Sequence, residues 1–263
     1  MNNNNSYFIL GAPDPEMLTI EAILKERKIP YGFATLRGRQ VQTFEAYKAD
    51  GSTTLIPAGA SIVFVECSVM GLDASFIIDH HHEGDPGYGK PPECYLEGSS
   101  LGQFLAYMGI EPTQQHRIVA AADHCLMHAY QGRCPGVSVE ELRAWRTSSR
   151  AAARGLQEGE LTQQIAQASV TLKSAERIEM GGVPVAFLEE VPPETAEASA
   201  RDGVPYAYVT KRADGTRKAG IQSAPPEAIR AWMEHCGLRG IYGDPQRGFA
   251  GGYFPEPAFA LPA

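Results

Sequence analysis

Residues 60–68 read "ASIVFVECS" and residues 74–82 read "ASFIIDHHH". Each is a short apolar run that ends abruptly in residues carrying charge or an imidazole. Unbroken apolar character over a strand's length fits a strand buried on both faces, as in a parallel sheet covered by helices. Two further runs have this character: "SYFILGAP" (6–13), closed by a Gly/Pro turn, and "YGFATL" (31–36). Helical patterns alternate with them. "EMLTIEAILKERK" (16–28) carries a stripe of Met17, Ile20, Ile23 and Leu24, and "GSSLGQFLAYMG" (98–109) and "QHRIVAAADHCLMHAYQG" (115–132) follow. The alternation predicts an α/β fold with a parallel sheet flanked by helices.

The pattern changes past the middle of the chain. The stretch 136–180 is charged and helix-prone and carries no obvious chemistry. Strand-like runs then recur: "VPVAFLEEV" (183–191), "PYAYVTKR" (205–212) and "RKAGIQSA" (217–224). "ADGT" (213–216) suits a hairpin turn between the last two. "PPEAIRAWMEHCG" (225–237) reads as a helix with prolines at its start and Gly237 at its end. "GDPQRGFAGGYF" (243–254) reads as a glycine-rich loop running into an aromatic strand. The expected organisation is a first domain over 1–150, a helical linker over 151–180 and a smaller α/β domain over 181–263.

Composition narrows the function. A net charge of −8 makes long duplex nucleic acid a poor partner. No apolar run approaches the ~20 residues of a membrane span, and the start "MNNNNSYFIL" lacks a basic region followed by an apolar one. The Asn run reads as a short disordered lead-in. The five cysteines, Cys67, Cys94, Cys125, Cys134 and Cys236, form no CxxC pair. Reduced thiols in the cytoplasm are the expectation, with Cys67 and Cys125 as buried packing groups.

In open α/β sheets, ligands bind outside the carboxyl ends of the strands. The residues there are Asp14 and Glu16 after the first run, Glu66 after "VFV", and Asp79, His80 and His81 after "FII". Asp123 sits among alanines in a helical stretch and needs a partner if buried. Carboxylates that converge without a cation repel each other and take up protons. Oxygen donors with one imidazole suit Mn²⁺ or Mg²⁺ better than a thiolate zinc site. Elsewhere, Ser99 and Ser100 offer hydroxyls at a helix N-terminus, either an anion seat or an N-cap. Lys90 could meet a phosphate, as could Arg247 beside the glycines Gly251 and Gly252.

"IIDHH" after a parallel strand resembles the signature motif of the DHH phosphoesterase superfamily, and the order of the other motifs resembles it too. "APDPEM", "VFVECS", "IDHHHEGDPGYG" and "AAADHCL" stand where that superfamily has its four motifs. "GFAGGYF" resembles the glycine-rich substrate loop of the accessory domain in the exonuclease (RecJ-like) and nanoRNase branch. The resemblance implies two metal ions, Mn²⁺ or Mg²⁺. Asp14 would bind one and Glu16 the other, Glu66 would bridge them, His80 would be a ligand, and Asp123 would complete the second ion's shell. Asp79 would fix the tautomer of an imidazole and His81 would face the substrate phosphate, while His82 has no role in the superfamily. Glu16 and Glu66 stand where aspartates are usual, and Leu10 stands where the pyrophosphatases carry a histidine.

The expected activity is metal-dependent hydrolysis of a phosphodiester or phosphoanhydride in a small nucleotide or short oligonucleotide. The alternatives are a degenerate site that binds a nucleotide as a sensor, motivated by Glu16 and Glu66, and a scaffold without a ligand. No membrane partner is expected, and the oligomeric state stays open, a homodimer included.

Overall fold

The computed structural model describes residues 5–211 and 215–255. The chain forms two compact units, Met1–Leu142 and Arg143–Ala263. The Asn run, at residues 2–5, lies outside the described residues except for Asn5.

The first unit runs β1 (Ser6–Leu10), α1 (Pro15–Glu26), β2 (Tyr31–Leu36), β3 (Arg39–Gln40), β4 (Gly51–Ser52), β5 (Ser61–Val65), β6 (Phe76–Ile78), α2 (Tyr95–Gly98), α3 (Ser100–Met108) and α4 (Gln114–Tyr130). Its sheet has the order β3-β2-β1-β5-β6, with β4 also on β2. The pairs β1–β2, β1–β5 and β5–β6 are parallel, and only the short β3 and β4 run antiparallel to β2. The chain goes from β1 to one side and then returns to build on the other. The topological switch therefore falls between β1 and β5, where such sheets open a crevice at their carboxyl ends.

All five residues of β1 are buried, because both faces of this central strand are covered. Tyr7 and Ile9 pack with Ala34, Phe64 and Val69 on one side. On the other, Phe8 meets Phe104 of α3 edge-on at 5.4 Å and Tyr107 at 5.9 Å. The apolar runs are thus continuous for the reason expected, and the α/β class with a parallel sheet flanked by helices holds. Cys67 and Cys125 are buried among the packing residues.

The second unit contains most of α5 (Val139–Arg154), then α6 (Glu158–Ser174), β7 (Arg177–Met180), β8 (Val183–Leu188), α7 (Thr195–Asp202), β9 (Tyr206–Lys211), β10 (Arg217–Gln222), α8 (Pro226–His235), β11 (Arg239–Asp244) and β12 (Phe249–Tyr253). The sheet order is β11-β12-β10-β9-β8-β7, antiparallel except for β8–β9. The units divide between Leu142 and Arg143, ahead of the expected boundary. The stretch read as a linker belongs to the core. Leu161, Ile165, Ala168 and Leu172 of α6 bury against Ala186, Leu188 and Tyr206. The opposite sheet face, with Val185, Ala207, Ile221 and Ala250, packs on Ile229 and Trp232 of α8. Of the glycines read as a loop, Gly251 and Gly252 lie in β12, a strand with partners on both sides. The hairpin connection of β9 to β10 is present as an antiparallel pair, although Ala213 and Asp214 of its turn lie outside the described residues. No described helix is long and apolar enough to cross a membrane.

The charged residues of "RAWRTSSRAAAR" have a structural task. Arg146, Arg150 and Arg154 are spaced by four, so they share one face of α5. Arg146 and Arg201 donate to Glu197, at 2.7–3.0 Å. Arg150 and Arg154 donate to Glu194, at 2.5–2.9 Å. Burial pushes the Glu194 carboxyl up, but Arg150 and Arg154 overcome this and hold it below its usual range. A lowered carboxylate stabilises the fold above its unfolded pKa of about 4.3, and the contribution is lost as pH falls through the folded value. Glu194→Gln is expected to cost about 1–3 kcal/mol near neutral pH. The gap to wild type should close as pH falls below about 4. Both tryptophans, Trp145 and Trp232, lie in the second unit, so urea denaturation followed by tryptophan fluorescence reads it directly. A gap that stays constant from neutral to acid pH would contradict the assignment.

Candidate metal centre

Three strand ends deliver the site. β1 stops at Leu10, and Gly11 follows in van der Waals reach of the next strand's end. A Cβ on Gly11 would lie 2.5 Å from the Glu66 carbonyl oxygen. Pro13, Asp14 and Pro15 then turn the chain into α1, with Asp14 as N-cap and Pro15 in the first turn. Asp14 Oδ1 accepts from the Met17 amide at 2.7 Å. Glu16 points inward and is 1% exposed. Glu66 follows directly on β5, and its φ of +51° is a conformation that non-glycine residues rarely adopt. β6 ends on Asp79 and the histidines.

His80 is fully buried. Its Nδ1 lies 3.0 Å from the Gly98 carbonyl oxygen. A carbonyl only accepts, so Nδ1 carries the proton. Nε2 then faces Glu66 Oε1 at 3.4 Å and Asp123 Oδ2 at 3.2 Å. In the neutral ring that nitrogen presents a lone pair to two carboxylates. Only a proton or a cation makes the contact favourable. A histidine whose second nitrogen is tied to a backbone carbonyl is the usual arrangement of a metal ligand.

Asp79 is buried and collects donors. Its carboxylate accepts from the Tyr47 hydroxyl at 2.9 and 3.0 Å, the His80 amide at 2.7 Å, the His81 amide at 3.1 Å and His81 Nδ1 at 3.0 Å. Burial pushes this carboxyl up, and the bonds and charge of His81, with Tyr47 and the His80 amide, bring it below the usual range. The imidazole that Asp79 orients is therefore His81, whereas Gly98 sets the tautomer of His80. His81 is partly exposed, with its Nε2 left for another partner. His82 is exposed, and its ring lies edge-on to Tyr47 with centroids 4.4 Å apart.

Sequence reasoning missed three supports. Tyr47, from a 3-10 turn at Thr43–Lys48, has no local motif to mark it. Gln103 donates to the carbonyls of Asp79 and Gly98 at 3.0 and 3.2 Å and accepts from the Asp79 amide at 3.3 Å. It thereby locks the strand end to the start of α3. Gly87 packs so closely that a Cβ there would sit 2.8 Å from the His80 Cβ. Of the glycines in "GDPGYG", Gly87 alone marks that crowding; Gly84 and Gly89 have open space around them and positive φ.

The helix N-terminus read as an anion seat is already occupied by a carboxyl group of the protein itself. Glu16 Oε1 accepts from the Leu101 amide of α3 at 2.9 Å. Ser99 is the N-cap, accepting from Gly102 at 3.0 Å. Ser99 and Ser100 are both fully buried, so neither hydroxyl faces a surface ligand. Lys90 pairs with Glu97 at 3.5 Å, and its carbonyl faces His124 Nε2 at 2.9 Å. Arg247, Gly251 and Gly252 lie in the second unit.

Glu16, Glu66, His80 and Asp123 each place a donor atom within 4.8 Å of the others', and Glu66, His80 and His81 form an overlapping group. Asp14 belongs to neither group, but it stands in their field. Burial, Glu66 and Asp123 raise its carboxyl to about 8. Burial drives Glu16 well above its ordinary value, and Asp123, Glu66 and Asp14 add to the shift. Glu16 Oε2 is buried with no hydrogen-bond partner. Without a cation, the cluster must take up protons to relieve the repulsion. The donor set, carboxylates with an imidazole and no thiolate, fits a hard divalent ion such as Mn²⁺ or Mg²⁺.

A further support is Gly98, where a Cβ would run into the His124 imidazole. His124 in turn stacks on His80, with ring centroids 5.8 Å apart. Gly98→Ala is expected to cost about 1–3 kcal/mol by overpacking, read as a lower melting temperature by circular dichroism. An unchanged melting temperature would show that the ring stack is loose.

A scan against protein-family models finds no match, and a search of curated proteins finds none. Among solved structures, the chain is similar to a pGpG-specific phosphodiesterase, PggH, from Vibrio cholerae. The similarity has 11% identity and a TM-score of 0.45, covering 95% of this chain and 94% of the other.

Proposed function

We propose that the protein is a divalent-metal-dependent phosphoesterase of the DHH type, acting on a small nucleotide or short oligonucleotide. One observation carries the reading: His80 Nε2, its tautomer set by Gly98, faces Glu66 and Asp123 beside the unpartnered buried oxygen of Glu16. Two such ions would lower the pKa of an attacking water and clamp the oxygens of an in-line phosphoryl displacement.

The chain's own residues divide the remaining work. Glu16, Glu66, His80 and Asp123 would hold the ions, with Asp14 at the margin of the set. Glu66 is the carboxylate shared between the two groups of donors. His81, partly exposed and anchored through Nδ1, meets the substrate phosphate through Nε2 as donor or cation. Asp79 is its positioning residue. The glutamates in place of aspartates keep oxygen donors, and Glu16 uses its extra length to reach α3 while leaving its second oxygen for an ion. The expected substrate contacts of Arg247, Gly251 and Gly252 belong to this proposal, as do an accessory role for the second unit and a place in the cytoplasm.

Hydrolysis of a model phosphodiester with Mn²⁺ tests it. His80→Ala and Asp123→Ala should each lose at least about 100-fold in rate, and Asp79→Asn about 10- to 100-fold. His82→Ala should stay within about twofold. Undiminished hydrolysis by the His80 and Asp123 variants would end the mechanism. A nucleotide bound tightly but never turned over with any divalent ion would instead make the chain a sensor.

A further inference from the structure

Two thiols stand in contact that the metal chemistry does not use. Cys125 and Cys134 place their Sγ atoms 3.1 Å apart, and the residues are 1% and 2% exposed. A disulfide holds its sulfurs at about 2.05 Å, so a bond needs a further approach of about 1 Å.

The two thiols differ in setting. Cys134 lies on the turn after α4, buried between the exposed Gly132, Arg133, Pro135 and Gly136. Gly132 and Gly136 turn the chain at φ of +73° and +77°, and the Tyr95 hydroxyl pins it by donating to the Pro135 carbonyl at 3.0 Å. A surface turn held by few bonds opens at far less cost than the whole fold, and that opening admits a small oxidant to Cys134. Cys125 lies inside α4 and interrupts it, with φ of −152° and ψ of 54°. The stretch "AADHCLMHAYQ" (121–131) has neither proline nor glycine to account for the break. The break falls between two sets of contacts. On one side Asp123 Oδ2 faces His80 Nε2 at 3.2 Å, and His124 stacks on the His80 ring. On the other the Cys125 thiol reaches the turn. Two residues therefore separate a candidate metal ligand from a thiol pair.

We propose that Cys125 and Cys134 form a reversible disulfide that lowers the metal affinity of the centre through Asp123. The oxidant is hydrogen peroxide. The Cys134 sulfur attacks one peroxide oxygen, the O–O bond breaks, and water leaves as Cys134 becomes a sulfenic acid. The Cys125 sulfur then attacks the Cys134 sulfur, the S–O bond breaks, and a second water leaves. Two electrons from the sulfurs and two thiol protons thus pass to the peroxide. A dithiol reverses the step, restoring both thiols and itself becoming a disulfide. The approach of about 1 Å exceeds the roughly 0.5 Å within which a metal constellation must be held, so a part of it carried to Asp123 weakens the site. The proposal adds regulation to the phosphoesterase reading, and rests on it only for the activity that the switch controls.

The full chain, metal-free in EDTA, is treated with hydrogen peroxide, freed of both by gel filtration, and divided. One part is alkylated and digested with trypsin. Cleavage after Arg133 separates 118–133 from 134–143, so the bond should appear as one species joining these peptides and split by dithiothreitol. The other part is titrated with Mn²⁺ by calorimetry. Affinity should be at least about 10-fold weaker than that of untreated protein, and should return after reduction and a second gel filtration. Cys134→Ser and Cys134→Ala should each bind Mn²⁺ as untreated wild type does and no longer respond to peroxide, so the result does not depend on one variant's fold. Cys94→Ser should respond as wild type. No linked species, a linked species with unchanged Mn²⁺ affinity, or a response that persists in both Cys134 variants would each overturn the switch. Untreated protein that binds no Mn²⁺ would overturn the metal centre, and the switch with it. The two proposals otherwise fail separately. Redox-dependent Mn²⁺ binding without hydrolysis of a phosphodiester would remove only the phosphoesterase reading. Mn²⁺-supported hydrolysis at the same rate before and after the bond forms would remove only the switch.

Discussion

The proton on His80 Nδ1 is committed to the Gly98 carbonyl, 3.0 Å away, and the rest of the site depends on that bond. It turns the opposite nitrogen toward Glu66 and Asp123, so that a buried imidazole presents its lone pair to two carboxylates. Keeping the bond requires a bare backbone at Gly98 and close packing at Gly87. It also requires Gln103 to tie the end of β6 to α3. The fold contributes through its switch between β1 and β5, parallel strands whose ends bring Glu16 at the start of α1 and Glu66 after β5 to the same crevice.

Electrostatics give this arrangement its direction. Asp14 and Glu16 are both pushed up by burial and by one another's neighbours. Glu66 behaves differently: burial pushes it up too, but His81 and His80 bring it below its ordinary range. The cluster is therefore neither a set of ordinary surface acids nor a closed ion-pair network like that of Glu194 and Glu197. The contrast between the two units is instructive. Arginines satisfy the buried Glu194 and Glu197 of the second, whereas the cluster of the first turns one buried imidazole toward its acids and leaves Glu16 Oε2 and Glu66 Oε1 without a hydrogen-bond donor.

Much of this was legible in the sequence. The unbroken apolar runs at 6–10 and 61–65 marked strands covered on both faces, and the polar residues after them marked the crevice. The order Asp14, Glu16, Glu66, His80, Asp123 pointed to a shared centre, and all but Asp14 fall into one group of donors. What stayed hidden depends on contacts between distant segments. Tyr47 reaches Asp79 from 32 residues away, and no periodicity encodes that. In sequence Ser99 fits an anion seat and a cap equally, and the choice rests on Glu16, which comes to the same helix end from 85 residues away. In the second unit, α6 looked like a linker because its buried stripe is narrow and its partners come later in the chain. The glycines of 251–252 suggested a loop because their role is to admit side chains from a neighbouring strand and the turn that precedes it, Tyr242 and Leu238.

The central claim is that a divalent cation completes the cluster at the carboxyl ends of β1, β5 and β6. Anomalous diffraction from crystals grown with Mn²⁺ measures this most directly. The account predicts a peak at bonding distance from His80 Nε2 and from carboxylate oxygens of Glu16, Glu66 and Asp123, with the His80–Gly98 hydrogen bond retained. A map with no peak among these four residues, and His80 still in contact with Glu66 and Asp123, would contradict it.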